Sequence, residues 1–129
     1  MGLLDGLDKL ADAKEAEVAK LDQIVALEKA EKEVIQEVKQ TFFDFQKARI
    51  QVQSSLQRVD YRERLAHLAE HRLGQNDIQI SEYMQAEIDL LREKTELHKA
   101  LKDYFTAKAK LNRAVGMHAL LTIEELHGK

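Results

Sequence analysis

The feature that most constrains this chain is its lack of residues that interrupt helices. It contains no proline, and between Leu7 and His127 the only glycines are Gly74 and Gly116. Sheet proteins need frequent turns built from glycine, proline, asparagine or aspartate, so this scarcity argues strongly against a sheet-rich fold. We therefore expect an all-α chain whose only interior interruptions lie at the two glycines.

The spacing of apolar residues predicts two helices. From about residue 7 to residue 73 they recur at steps of three and four, which indicates one helix on the order of 100 Å long. In the second stretch, about residues 77–115, a large residue recurs every seven positions and is usually followed three positions later by alanine. This narrow stripe predicts close packing against a partner helix. We call its main members the seam residues: Tyr83, Leu90, Leu97, Ala100, Tyr104, Ala107, Leu111 and Ala114.

A short polar link, residues 74–76, separates the two periodic stretches. Gly74 can take the left-handed conformation that ends a helix, and Asn76 or Asp77 can accept hydrogen bonds from the free amides that begin the next one. Because a link this short forces its helices to run antiparallel, we predict an antiparallel coiled-coil hairpin that occupies the whole chain as one domain. Gly116 is expected to end the second helix, and apolar residues in the tail predict a short C-terminal helix.

The two arms of this hairpin are expected to be unequal. If residues 77–115 pair back from the tip, they cover roughly residues 36–73 and leave residues 7–35 without a partner in the chain. An apolar set this large is not left in water without a reason. Either the arm folds back or another chain covers it, and we expect self-association. The main apolar residues of this arm are Val18, Leu21, Ile24, Val25 and Leu27.

Composition excludes several classes of function. The 20 Lys and Arg against 23 Asp and Glu give a net charge of −3, without the basic excess that nucleic acid binding needs. The absence of cysteine excludes a disulfide scaffold, a thiol nucleophile and a cysteine-based zinc site. No stretch approaches the ~18 uncharged residues of a membrane span, so we expect no direct membrane insertion. The N-terminus lacks the features of a signal peptide, which predicts a cytoplasmic location if this chain is expressed by itself.

Three sequence segments, taken in order, resemble one protein family. Leu3-Leu4-Asp5-Gly6 is similar to the stretch that follows the last barrel strand of the TolC family of outer-membrane efflux ducts. Residues 30–48 resemble the long helix that precedes the closing helix of that family. The closing helix itself is matched by Asp89-Leu90-Leu91, Glu96-Leu97, Ala100-Leu101, Tyr104, Ala107, Ala109, Leu111 and Arg113-Ala114-x-Gly116.

The resemblance covers only the second helical hairpin of the family, whose members carry two repeats of barrel strands and a hairpin and assemble as trimers. It implies a structural part of a passive export duct in a tripartite efflux or type I secretion system. No β-barrel strands are expected here, so the chain would not be competent for transport alone. The implied partners are further copies, a periplasmic adaptor protein and an inner-membrane pump, at the periplasmic face of the outer membrane. The alternative is a freestanding, self-associating coiled-coil interaction protein.

By this resemblance the tip of the hairpin is the channel entrance. The tip residues are His71, Gly74, Gln75, Asn76 and Asp77. In the family a tyrosine three residues before the glycine and an arginine two after it form a latch. Here those positions hold His71 and Asn76, so the latch does not carry over. A stable turn without further function accounts for the segment equally well.

Two histidine motifs indicate no metal site or catalysis. His67-x-x-Glu70-His71 matches an inverted zinc-protease pattern, but neither a third ligand nor a substrate cleft is visible. Glu124-x-x-His127 lacks the second motif that a di-iron site requires. We expect no metal, no cofactor and no enzymatic activity. Because Phe42 and Phe43 are adjacent and point in different directions, at least one is expected to face a second partner helix.

Overall fold

The computed structural model of this protein describes residues 2–127. Within that range the chain forms two helices, α1 over Gly2–Gly74 and α2 over Ile80–His127, and no strand. The all-α fold predicted from the scarcity of breakers is therefore confirmed.

The two helices lie side by side and run in opposite directions. Near the tip, Arg62 of α1 pairs with Asp89 of α2 at 3.6 Å, and one turn further away Arg58 pairs with Glu93 at 3.2 Å. Far from the tip, Glu31 and Ile35 of α1 line a pocket together with side chains from residues 118–125 of α2. As residue numbers fall along α1 away from the tip, those of the facing residues on α2 rise. The link that reverses the chain therefore comprises residues 75–79 rather than the predicted 74–76.

The core is a thin layer of side chains between the two helices rather than a globular interior. The buried residues of α1 include Thr41, Ala48 and Ser55, which are seven positions apart, as are Val59 and Ala66. Most of these side chains are small, which lets two helix backbones approach closely. The densest apolar cluster lies in the half nearest the tip and consists of Val59, Ala66, Leu90 and Leu97.

The two buried hydroxyl side chains between the helices, Thr41 and Ser55, are satisfied by local hydrogen bonds. The Thr41 hydroxyl donates to the carbonyl oxygens of Glu37 and Val38 at 2.8 and 3.1 Å. The Ser55 hydroxyl accepts from the Arg58 guanidinium at 3.0 Å. Because a buried hydroxyl without a partner is costly, these bonds allow polar residues to occupy buried positions between the two helices.

Three predicted helix boundaries are wrong. The first helix begins at Gly2 rather than at about residue 7, and α2 begins at Ile80 rather than at about residue 77. The second helix does not stop at Gly116 but continues to His127, so the predicted separate C-terminal helix does not exist within the described residues. A glycine inside a helix costs only about 1 kcal/mol, which packing of the following turns against α1 can offset. The remaining tail residues, 128–129, lie outside the described range.

The extension of α2 shortens the part of α1 that has no partner. Glu31 and Ile35 lie beside His118 and Leu121 of α2, within the stretch predicted to be bare. Residues 2–29, in contrast, are all exposed in one continuous helix. The arm therefore does not fold back, and its uncovered part ends near residue 29 rather than at residue 35.

Candidate functional site at the tip and seam

The tip of the hairpin is a helix C-cap centred on Asn76. The N–H of Asp77 donates to the carbonyl of Arg72 at 2.9 Å, and the N–H of Asn76 donates to the carbonyl of Leu73 at 3.0 Å. These two bonds form a Schellman motif, in which the residue just beyond the end of the helix takes the left-handed conformation. Asn76, at φ 58°, is that residue, and no glycine among the described residues has a positive φ.

The roles predicted for Gly74 and for the start of α2 are therefore wrong. Gly74 is still helical, because asparagine tolerates the left-handed region well enough to end the helix two residues later. At the start of α2 the carbonyl of Gln79 accepts the first backbone hydrogen bonds of the helix, from the amides of Glu82 at 3.1 Å and Tyr83 at 3.4 Å. The Asp77 carboxylate instead accepts from the Arg72 guanidinium at 3.2 Å.

His71 lies on the last turns of α1 and is exposed. With His67, Glu70, Gly74 and Gln75 it lines a shallow surface depression beside the tip. Within residues 2–127, no group of three or more His, Asp or Glu side chains is placed to hold a metal ion. The two histidine motifs of the sequence therefore gain no third ligand from the fold.

The fold brings two carboxylates to the seam residue nearest the tip. The pKa of the Tyr83 phenol is raised above its ordinary value of 10.0, first by the Glu87 carboxylate and then by desolvation and by Glu70. Glu87 is one helical turn from Tyr83, whereas Glu70 comes from the other helix. The helical period of α2 predicts that Glu87 lies beside Tyr83. It gives no indication that Glu70, on the other helix, lies near Tyr83 as well.

None of the seam residues is exposed. Leu90, Ala100 and Ala114 are buried, and the five others are half-buried: Tyr83, Leu97, Tyr104, Ala107 and Leu111. The ring of Tyr104 lies 5.3 Å from that of Phe45 on α1 and 5.3 Å from that of Phe105, which links the seam to an exposed aromatic side chain.

Both helices also carry large apolar side chains outside the seam. Phe42 and Phe43 are both exposed, by 51% and 63%. On α2, Leu91 and Phe105 are each 61% exposed and Met84 is 55% exposed. Sequence reasoning missed this second set on α2, although its three members share one heptad position and are detectable by their spacing. Surfaces of this kind suit packing against further helices.

The depressions in this surface are open and shallow. One groove is lined by Ala48 and Ala107 together with charged side chains of both helices, among them Asp44, Lys47 and Asp103. Nothing in it resembles the enclosed, mostly apolar pocket that holds a small ligand. What the described surface offers chemically is a set of exposed apolar and charged side chains.

Neither helix contains, among the described residues, a stretch long and apolar enough to cross a membrane. The chain was compared with protein-family models, with curated proteins and with solved structures, and none of them matches it.

Proposed function

We propose that this protein is a structural helical hairpin that acts by packing beside other long helices, in a duct like those of the TolC family. The observation that carries the proposal is the presence of large apolar side chains outside the seam, above all Phe42, Phe43 and Phe105. A hairpin that needs no neighbours carries polar residues on these faces. A helix in the wall of a tube has neighbours on both sides and requires apolar contacts beyond its own pair.

In this proposal α1 and α2 form an antiparallel coiled coil, and several such hairpins stand side by side as a tubular wall. Support for coiled-coil packing comes from α1, where the less exposed residues recur every seven positions, as in Val38, Phe45, Val52 and Val59. In a trimeric duct, grooves between hairpins would receive the periplasmic adaptor protein. The inner-membrane pump would supply the energy, and this chain would contribute only wall and entrance.

The second candidate is a freestanding coiled-coil protein that associates with copies of itself. It is favoured by the exposed arm at residues 2–29, whose apolar side chains require cover. Both candidates predict helix-to-helix association and no catalysis. They differ in whether the partners include other proteins of an export system.

Photo-crosslinking in cells that produce the protein tests the proposal. A photoreactive phenylalanine analogue at position 42 or 43 is compared with the same analogue at Gln57, an exposed polar position on the same helix. We expect crosslinks at Phe42 and Phe43 to copies of this chain and to an adaptor-like protein, and few at Gln57. Crosslinks to copies alone favour the freestanding protein. Equal, weak crosslinking at all three positions contradicts lateral packing through these faces.

Sequencing the DNA upstream of the first codon provides a second, independent test. An open frame that encodes two further strands and another hairpin supports the duct. An intergenic region at that place supports the freestanding protein.

A further inference from the structure

The exposed arm of α1 carries an apolar stripe of its own. Along residues 2–29 two lines of side chains alternate at steps of four and three, and every residue of both lines is exposed. This alternation is the pattern by which one helix packs along another. One line consists of Leu3, Leu10, Glu17 and Ile24, and the other of Leu7, Lys14, Leu21 and Glu28.

Two opposite charges interrupt the stripe near its middle. Lys14 and Glu17 lie one turn apart at its centre, with leucines on either side. In a parallel pair of arms each charge would face its own counterpart, and like charges at an interface are costly. In an antiparallel pair Lys14 faces the partner's Glu17, and the same contact is made a second time by symmetry. The charge pattern therefore makes the arm complementary to a second copy of itself and favours the antiparallel direction.

The rest of the stripe fits the same antiparallel register. With Lys14 opposite the partner's Glu17, Leu7 faces the partner's Ile24 and Leu10 faces the partner's Leu21. Leu3 faces the partner's Glu28 at the end of the segment, and each of the other apolar residues of the stripe meets another apolar residue, as in the alternating layers of an antiparallel coiled coil.

The positions that flank the stripe agree with this register. On one side, Val18 would lie beside the partner's Ala11, so that apolar residues would meet there too. On the other side Gly6 and Ala13 are small enough for close approach. The remaining positions point away from the stripe and hold most of the arm's charges, among them Asp8, Glu15 and Asp22.

We propose that a second copy of this chain covers the arm, with the two arms antiparallel and centred between Lys14 and Glu17. The paired segment would be roughly 42 Å long. The pairing does not depend on a duct, in whose wall a neighbouring hairpin would occupy the same stripe; it gives the self-association of the second candidate a register and a direction. It identifies the partner of the arm when this chain is by itself in solution.

Cysteine crosslinking determines the direction of the arms, since the chain has no cysteine of its own. Full-length Leu10→Cys protein and full-length Leu21→Cys protein are oxidised separately and as a mixture. The antiparallel register predicts a disulfide-linked dimer in the mixture only, between the two variants. Dimers of Leu10→Cys with itself indicate parallel arms and overturn the proposal. A monomer by sedimentation equilibrium at tens of micromolar also overturns it.

Charge exchange tests the central contact. Glu17→Lys places lysine opposite lysine and is expected to raise the dimer dissociation constant at least about tenfold. The matched control is Glu15→Lys, the same change at a position that points away from the stripe. Restored affinity in the Lys14→Glu/Glu17→Lys double variant is expected, since it exchanges the charges and keeps the contact.

Two results of the charge exchange overturn the proposal: equal weakening by Glu15→Lys and Glu17→Lys, or a double variant as weak as the single ones. Circular dichroism measures the helical content of each variant and so distinguishes loss of helix from dissociation of the dimer. Failure of these tests would leave the crosslinks expected at Phe42 and Phe43 untouched, so the two proposals fail separately.

Discussion

Arg72 and Asp77 are joined twice across the tip of the hairpin. The N–H of Asp77 donates to the carbonyl of Arg72 at 2.9 Å, and the Arg72 side chain donates back to the Asp77 carboxylate at 3.2 Å. Both side chains are largely exposed, and an exposed ion pair contributes about 0–1 kcal/mol. The turn therefore depends mainly on the backbone bond, which in turn requires the left-handed conformation of Asn76.

The first prediction concerns which residue holds the turn. Asn76→Ala is expected to lower the free energy of unfolding by about 1 kcal/mol, because alanine is strained at positive φ, whereas Asn76→Gly is tolerated. Gly74→Ala is expected to be neutral or slightly stabilising, since the added Cβ meets nothing within 4 Å and the backbone there is helical. Urea denaturation at one protein concentration measures all three. A larger loss for Gly74→Ala than for Asn76→Ala would contradict this assignment.

The second prediction concerns the seam. Leu90 is 9% exposed in the main apolar cluster, while its neighbour Leu91 is 61% exposed. Leu90→Ala is expected to destabilise by about 2–3 kcal/mol, at the lower end for a core leucine because the seam is thin. Leu91→Ala removes the same atoms from an exposed position and should change stability by less than about 0.5 kcal/mol. Equal melting temperatures for the two variants would show that the seam residues of α2 do not form the face that packs against α1.

The third prediction concerns how closely the helices approach. Ala114 is 1% exposed, so a larger side chain there must push α1 and α2 apart. Ala114→Leu is expected to cost about 1–3 kcal/mol through overpacking. Ala109→Leu makes the same change at an exposed position of the same helix and serves as the control. Thermal melts that rank Ala109→Leu as the more damaging variant would disprove the close approach.

The fourth prediction concerns the titration of Tyr83. Its raised pKa means that the folded state holds the phenol proton more tightly than the unfolded state, whose pKa is 10.0. The resulting contribution to stability is complete below pH 10.0 and is lost as the pH rises through the folded-state pKa. Because Glu87 is the main cause, Glu87→Gln is expected to lower the pKa of Tyr83 towards 10.0.

Phenolate absorbance measures that pKa when Tyr83 is the only tyrosine. The other two are therefore replaced, in a Tyr61→Phe/Tyr104→Phe background. Glu82→Gln, which removes a neighbouring charge that does not act on the phenol, is the control. An unchanged pKa in Glu87→Gln, or an equal change in Glu82→Gln, would refute Glu87 as the main cause of the shift.

Much of this fold is readable from local sequence. The absence of proline and the three-and-four spacing of apolar residues predict two long helices, because helix formation depends on neighbours within a turn or two. The spacing also places the residues from Tyr83 to Ala114 on one face of α2, and none of the seam residues is exposed. The alanines among the seam residues predict close packing of the helices, because the size of a side chain can be read directly from the sequence.

Only the tertiary structure determined where the helices end and which part of α1 is bare. Gly74 and Asn76 can each end a helix, and the choice depends on which backbone bonds the turn can close. Whether α2 passes Gly116 depends on packing of its last turns against residues 31–35 of α1, far away in sequence. The approach of Glu70 to Tyr83 is likewise a contact between helices. Local periodicity specifies a helix and its apolar face, but these outcomes are set by free energies of contacts between distant segments, which exist only once the chain has reversed.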